Sequence, residues 1–490
     1  MPRIFRYMIC AASGLFLLSG CKKFLQVDPP ISTITTEEMF STNKQAELSI
    51  TGIYTKMIHS TDALNPAGSA IKSFAGGLST IMGGLSSDDF FTSAASGDVN
   101  IIVNQNKLSV RNSGGTGDLW DSGFKTIYDA NAVMEGLQSD AARNLIDSVR
   151  NQLMGEALTI RAFSYFYLVN FFGDLPLVVT TDFNKTNRLS RSPVSKIYEL
   201  IKTDLLKAMP LLNSDFSVGK GERVRINRWF AEALLARVYL YTKEYREAIS
   251  HATAVINQTS MFSIEPDIAN VFLKNSREAI FQLKPNNENA QLRNATPEGY
   301  RMSTVGAAPS TFPSAYSLSN ELLNAFDAGD KRKASWTSPY ASYFTTAKYK
   351  INQFNSVVGG PQNEYYVVMR LAELYLIRAE AIALGEPGNK DNAIDDLNVL
   401  RRRADVNELD KSLTAEQVAE AVAKERQLEL FAEWGHRWFD LKRTGKASQV
   451  LSQIAAKQPW VGDFQLLYPI PVLEITYNGF LSQNPEYNNF

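Results

Sequence analysis

Cysteine and histidine are almost absent from this 490-residue chain, and their scarcity removes whole classes of chemistry. There are two cysteines, Cys10 and Cys21, and three histidines, at positions 59, 251 and 436. Histidines so few and so far apart are a poor basis for a metal centre or a triad, and no His-Glu-x-x-His spacing occurs. An excess of charge is missing too: 50 Lys and Arg stand against 51 Asp and Glu, for a net charge of −1. A nucleic-acid partner would want a basic face, so none is expected. Beyond the amino terminus, no apolar run approaches the roughly 20 residues of a membrane-crossing helix. Glycine pairs occur at 76–77, 83–84 and 114–115. They lack the Lys-Ser/Thr ending of a phosphate loop and read as turns. No cofactor, no metal and no catalytic residue is expected.

What is present begins with the amino terminus. Arg3 and Arg6 precede a short apolar run, Met8 to Gly20, which has the layout of a secretory signal. It ends Leu18-Ser19-Gly20-Cys21. Two small residues before a cysteine resemble the bacterial lipoprotein processing site, which predicts removal of residues 1–20 and lipid on Cys21. Ordinary signal cleavage, leaving a free thiol, is the alternative. Because Cys10 lies in the removed segment, the mature chain would keep one cysteine with one evident task. Several acyl chains on that residue would anchor stably, where one alone, at about 0.8 kcal/mol per buried methylene, binds only marginally. Residues 21–35, with Pro29 and Pro30, then read as an extended tether.

The most ordered-looking stretch is Tyr365 to Arg443. Tyr366 to Leu384 is apolar nearly all round and predicts a helix surrounded by other helices. Ala393, Ile394, Leu397, Leu400 and Ala404 recur at helical spacing. Thr414 and Gln417 form a capping box for a third helix reaching about Trp434, where Gly435 stops it before a short fourth. Upstream, the spacing predicts helices over 36–59, 120–137, 145–172, 194–212, 229–241 and 244–257. Ala236, Tyr239, Tyr245, Ala248 and Ala252 follow the small/aromatic/small spacing of a tetratricopeptide hairpin. The fold class predicted is mostly α: a tetratricopeptide-like helical-repeat scaffold over 118–284 and 365–446, with a loop-rich, variable ligand-binding half. The loop-rich insertions are 60–117 and 286–364, the tail 466–490 is extended, and 36–490 forms a single body.

The second insertion is long for a structureless loop and rich in Asn, Ser, Thr and Pro, which points to a task. It also carries Tyr300, Phe312, Tyr316, Trp336, Tyr340, Tyr343, Phe344 and Tyr349. Sugars offer flat C–H faces and hydroxyls, so a sugar site wants exposed rings flanked by Arg, Asn, Asp or Gln. The candidate ligand-binding residues are Trp336, Tyr340, Tyr343, Tyr300, Arg301 and Asn287. Phe90, Phe91 and Trp120 form a second group, with Trp120 assigned to the core. Glu433, His436 and Asp440 tempt as an acid–base or metal site, but Gly435 interrupts their helix. The reading preferred is that Arg426, Glu429, Arg437 and Asp440 tie helices together through paired charges. Asp327 and Asp330 alone fall short of a calcium loop.

Several stretches together resemble the SusD/RagB family of bacterial nutrient-uptake lipoproteins. They are the Cys21 lipobox, Gly155-Glu156-Ala157 through Arg161-Ala162-Phe163-Ser164-Tyr165-Phe166, and Phe172-Gly173-Asp174-Leu175-Pro176. Further on come Arg370 through Ala381, Glu425-Arg426 with Glu429-Leu430, Gly435 through Leu441, Pro469-Ile470-Pro471 and Gln483-Asn484-Pro485. Two departures are visible: Glu433-Trp434-Gly435-His436 where the family usually has Glu-Gly before the Arg, and Glu486 where Gly is commoner. The resemblance implies an outer-membrane lipoprotein facing the cell exterior. It would bind oligosaccharides, or a peptide, and deliver them to a partner TonB-dependent, SusC-like transporter without catalysis. A surface glycoside hydrolase, which needs only two suitably spaced carboxylates, is the alternative from another class, and a protein-binding helical adaptor a third.

Overall fold

The computed structural model describes residues 36–59, 72–92, 98–111, 115–308 and 314–487. Cys21, the signal and tether segments and Phe312 lie outside those residues. Among the described residues no helix is long and apolar enough to cross a membrane.

A single turn at Thr36–Met39 precedes α1 (Asn43–His59), where the spacing predicts one unbroken helix. The Gly-rich segment that reads as turns is in fact largely helical. A π-type turn at Phe74–Leu78 runs into α2 (Ser79–Ser86), and every residue of both is buried. Here glycine serves close approach: a Cβ on Gly83 would stand 2.6 Å from the Cα of Gly435. The short strand β1 (Phe90–Phe91) follows. Then come α3 (Thr116–Gln138), α4 (Asp147–Phe172), α5 (Val194–Ala208), α6 (Arg228–Tyr241) and α7 (Tyr245–Ile256). Gly173, at φ +75, stops α4, a conformation that costs a residue with a Cβ far more. The Asn227 side chain accepts hydrogen bonds from Trp229 N and Phe230 N and so starts α6. Ala231, Ala233 and Ala236 of α6, and Ala248 and Ala252 of α7, are fully buried, so the two backbones approach closely, as the hairpin spacing predicts.

The strands β2 (Ala279–Leu283), β3 (Ser317–Leu318), β4 (Thr337–Tyr340), β5 (Tyr343–Thr346) and β6 (Tyr366–Arg370) form three antiparallel pairs, β1 with β3, β2 with β6 and β4 with β5. Tyr366–Arg370 therefore corrects the helix expected from 366. All five residues are buried, and Tyr366, Val367 and Val368 are strand-favouring side chains. The helix begins directly after the strand, five residues later than expected, as α8 (Leu371–Gly385), and is followed by α9 (Lys390–Ala404), α10 (Ala415–Leu430) and α11 (His436–Arg443). The Thr414–Gln417 capping box is formed. α10 ends at Leu430, short of the expected Trp434, because Ala432, Trp434 and Gly435 all take positive φ. In the tail, Pro471 leads into a short helix, Val472–Tyr477, within a segment read as extended.

Helices pack in sequence: α3 on α4, α4 on α5, α5 on α6, α6 on α7, α7 on α8, and α8 on both α9 and α10. This is a mostly helical, tetratricopeptide-like stack. Where it meets the strands, a charge network is buried. Arg370 binds Glu278 at 2.8 Å, Glu429 at 2.5 Å and Glu433 at 2.8 Å. Arg332 binds Asp330, Glu425 and Glu429 at 2.8, 2.5 and 3.1 Å. Arg403 reaches Glu278 and Glu429, Arg401 reaches Glu425, and Lys348 reaches Glu433. Burial costs each such ion several kcal/mol, so the network holds only because every charge is answered. It ties β6, α9 and α10 to the second insertion.

A convergent aromatic surface

The two insertions meet through β1 and β3, with Phe90 opposite Leu318 and Phe91 opposite Ser317. Ser319 strengthens the junction: its N–H donates to Asp89 O at 2.9 Å and its hydroxyl to Asp88 O at 2.5 Å. Asp88 is in turn held by Arg437 of α11, at 2.6 and 2.7 Å. The scaffold thus fixes the strand that carries Phe91.

Next to it lies the hairpin of β4 and β5. Strand side chains alternate between faces. Pro339 and Phe344 are paired on one face and line a groove with Phe326. Tyr340 and Tyr343 are paired on the other. On that second face the Tyr343 ring stands 5.2 Å from Phe91, centroid to centroid and tilted. The Thr345 hydroxyl, also on this face, is 2.7 Å from that of Thr304, which attaches the hairpin to the segment just past the short helix Pro297–Met302. Thr296 caps that helix, and Glu298 locks it inward against Thr80 and Tyr366. Burial pushes the Glu298 carboxyl up to about 8, against the opposing pull of those two hydroxyls. Tyr300 and Arg301 remain half-exposed, with the guanidinium 5.7 Å from the Tyr300 ring centre. Tyr316 completes the surface. Burial raises its hydroxyl pKa, while Arg301 and a hydrogen bond to Asn100 lower it and Asp98 raises it, which brings those three side chains to it.

Of the residues singled out from sequence, Tyr340, Tyr343, Tyr300 and Arg301 come to this surface, and Phe91 and Tyr316 join them from the other aromatics. Trp336 does not. It is 1% exposed, its indole N–H donates to Ile268 O at 3.2 Å, and Lys348, Arg403 and Arg370 stand 4.7–5.6 Å from its ring. A ring enclosed by the charge network cannot stack on a ligand, so its assignment to the binding site is corrected. Asn287 is engaged elsewhere: its side-chain amide donates to Gly360 O, and its main-chain carbonyl accepts from Gly359 N. Asn100 and Asp98 were not legible, because they reach the site only through pairing of distant strands.

The charged trio is divided among separate partners. Glu433 goes to Arg370 and Lys348, and Asp440 to Arg426 and Arg443. His436 faces Glu373 at 3.8 Å, and burial lowers its pKa to about 4. Asp327 and Asp330 are likewise spent on Arg401, Lys424 and Arg332. Trp120 is core, as expected.

Comparison with known proteins agrees with this architecture. The SusD family profile matches residues 310–487, and a second profile, described as starch-binding associating with outer membrane, matches residues 24–240. SusD-like protein P2 of Formosa agariphila is 25% identical, over 98% of this chain and 100% of its own. The fold matches a SusD superfamily protein from Bacteroides vulgatus, with a TM-score of 0.74 at 21% identity over 90% of this chain and 98% of that one. It also matches surface glycan-binding protein A from Bacteroides thetaiotaomicron in complex with laminarihexaose, with a TM-score of 0.72 at 20% identity over 90% and 99%. By its profiles, its full-length relatives and its fold, the chain belongs to the SusD/RagB family.

Proposed function

We propose that this protein captures oligosaccharides on the Phe91–Tyr343 surface and delivers them to a TonB-dependent transporter in the outer membrane. The observation that carries the reading is the meeting of two insertions in one patch of partly exposed rings and hydrogen-bonding side chains. Stacking of sugar faces on Phe91, Tyr340 and Tyr343 would supply apolar contact, and Arg301 and Asn100 would supply directional hydrogen bonds. The laminarihexaose complex of a protein with the same fold supports an oligosaccharide as the ligand. The body hangs from the outer leaflet of the outer membrane by lipid on Cys21, facing the exterior. Its helical scaffold, 118–284 and 365–446, holds the insertions 60–117 and 286–364.

The protein acts by binding, without catalysis. Glycosidases need two carboxylates about 5–10 Å apart. At this surface the described residues bring Asp98, whose Oδ1 accepts a hydrogen bond from Asn100 N at 2.8 Å. Purified full-length protein on a broad oligosaccharide array tests the reading. Retention of at least one glycan family, with no release of reducing sugar, is expected. Silence across the array would end it.

A further inference from the structure

The Phe91–Tyr343 surface carries a guanidinium, Arg301, that the fold itself does not use. It is half-exposed, and among the described residues it has no hydrogen-bond acceptor and no carboxylate within ion-pairing distance. Its neighbours are the Tyr300 ring, 5.7 Å away and within cation–π range, and Tyr316, whose hydroxyl is bonded to Asn100. The arginines of the buried network are placed differently. Arg332, Arg370 and Arg403 each meet two or more carboxylates. Those groups hold the protein together, whereas Arg301 presents five N–H donors in a planar fork to whatever arrives at the rings.

The local charge points the same way. The stretches that supply this surface, 90–117, 299–319 and 337–347, contain one acid, Asp98, against Lys107, Arg111 and Arg301. The whole chain is balanced to −1, so the surplus belongs to these stretches. Asp98 is already engaged, its Oδ1 accepting from Asn100 N at 2.8 Å. Lys107 is spent on Gln458 O at 3.0 Å. Beside the rings this leaves Arg301 as the open charge. A neutral sugar can offer it hydroxyl oxygens only. A uronate offers two coplanar oxygens that match the fork, and charge-assisted bonds of this kind are roughly twice as strong as neutral ones.

We propose that the oligosaccharide taken by this surface is acidic, and that Arg301 selects it by pairing with a uronate carboxylate. Phe91 and Tyr343 stack on adjoining sugar faces, and the Tyr316 hydroxyl and Asn100 amide add neutral hydrogen bonds beside the ion pair. The proposal rests on the reading of this surface as an oligosaccharide site and narrows that reading to one chemical class. A sulfate ester carries the same charge without the planar pair of oxygens, so the carboxylate is the better match to the fork.

Isothermal titration of the full-length protein in detergent tests it. The ligands are oligogalacturonates, oligoalginates and glucuronoxylan fragments, each beside its uncharged methyl ester, with laminarihexaose as a neutral glycan and a sulfated galactan oligomer as the other anion. At least one uronate series should bind about 10-fold or more tightly than its ester, and added salt should narrow that ratio. In Arg301→Gln the ratio should fall to within about twofold at an unchanged melting temperature, because the guanidinium supports no other residue. Equal binding of acid and ester, or binding of laminarihexaose but of no uronate, would overturn the proposal and leave the oligosaccharide reading standing. So would a ratio that survives Arg301→Gln, or a preference for the sulfated oligomer over every uronate. Silence toward every glycan would remove both readings together.

Discussion

Glu429→Gln is the most direct perturbation of the frame that carries the aromatic surface. The carboxylate is fully buried and in contact with Arg332, Arg370 and Arg403. Burial alone would raise its pKa, but the three guanidinium groups outweigh that and hold it well below the usual carboxylate range. Five cations, Arg332, Lys348, Arg370, Arg401 and Arg403, face five carboxylates, Glu278, Asp330, Glu425, Glu429 and Glu433. In the Gln protein Arg332 keeps Asp330 and Glu425, and Arg370 keeps Glu278 and Glu433. Arg403 keeps Glu278 alone, and its Nε already lacks a partner. One uncompensated charge is left in the core, for which a loss of about 3–5 kcal/mol is expected. At about 2.1 cal/mol/K per residue, a chain this size has an unfolding entropy near 1 kcal/mol/K, so the melting temperature should fall by roughly 3–5 °C. Calorimetry at pH 7 reads this directly, with Glu199→Gln, an exposed partner of Lys196, as the control expected to stay within error. Removing both charges, in Glu429→Met with Arg403→Met, should recover part of the loss. A Glu429→Gln protein melting within 1 °C of wild type would refute the reasoning.

Three further outcomes follow from the same contacts. The Glu298 carboxyl, raised to about 8 by burial, favours folding in its protonated form. Its contribution is complete below the unfolded value near 4.5 and is lost as pH rises through about 8, so Glu298→Gln should gain on wild type across that window. Urea denaturation at pH 5 and pH 9 should show a shift on the order of 4 kcal/mol, and a pH-independent difference would count against it. Gly83→Ala forces a Cβ against the Gly435 backbone, where no side chain can swing aside, and should cost about 1–3 kcal/mol by the same method. Trp336→Ala should destabilise by about 3–5 kcal/mol through loss of a buried ring, and its folded fraction should keep its glycan affinity.

Much of the scaffold was legible because its signals are local. Alternating faces, the Thr414–Gln417 box and Gly173 past the end of α4 each act within a few residues. Tyr366–Arg370 was misread because a fully buried strand and a fully buried helix look alike: neither has a polar face to reveal its period. The glycines at 76–84 were misread because a glycine that permits close packing is indistinguishable, in sequence, from one that permits a turn. Trp336 and Tyr343 sit in one polar, aromatic-rich segment, yet one is core and the other surface. What separates them is Arg370, Arg403 and Lys348 gathering around the first. The contact of Phe91 with Tyr343 depends on β1 finding β3, and no short-range pattern reports it.

The central claim is that the Phe91–Tyr343 surface binds oligosaccharide. Titration of a glycan retained on the array against wild type and the Phe91→Ala, Tyr343→Ala double variant tests it most directly. Each lost stacking contact removes about 1 kcal/mol or more, so the pair should lower affinity at least 10-fold while the melting temperature stays close to that of wild type. Unchanged affinity in a folded double variant would contradict the account.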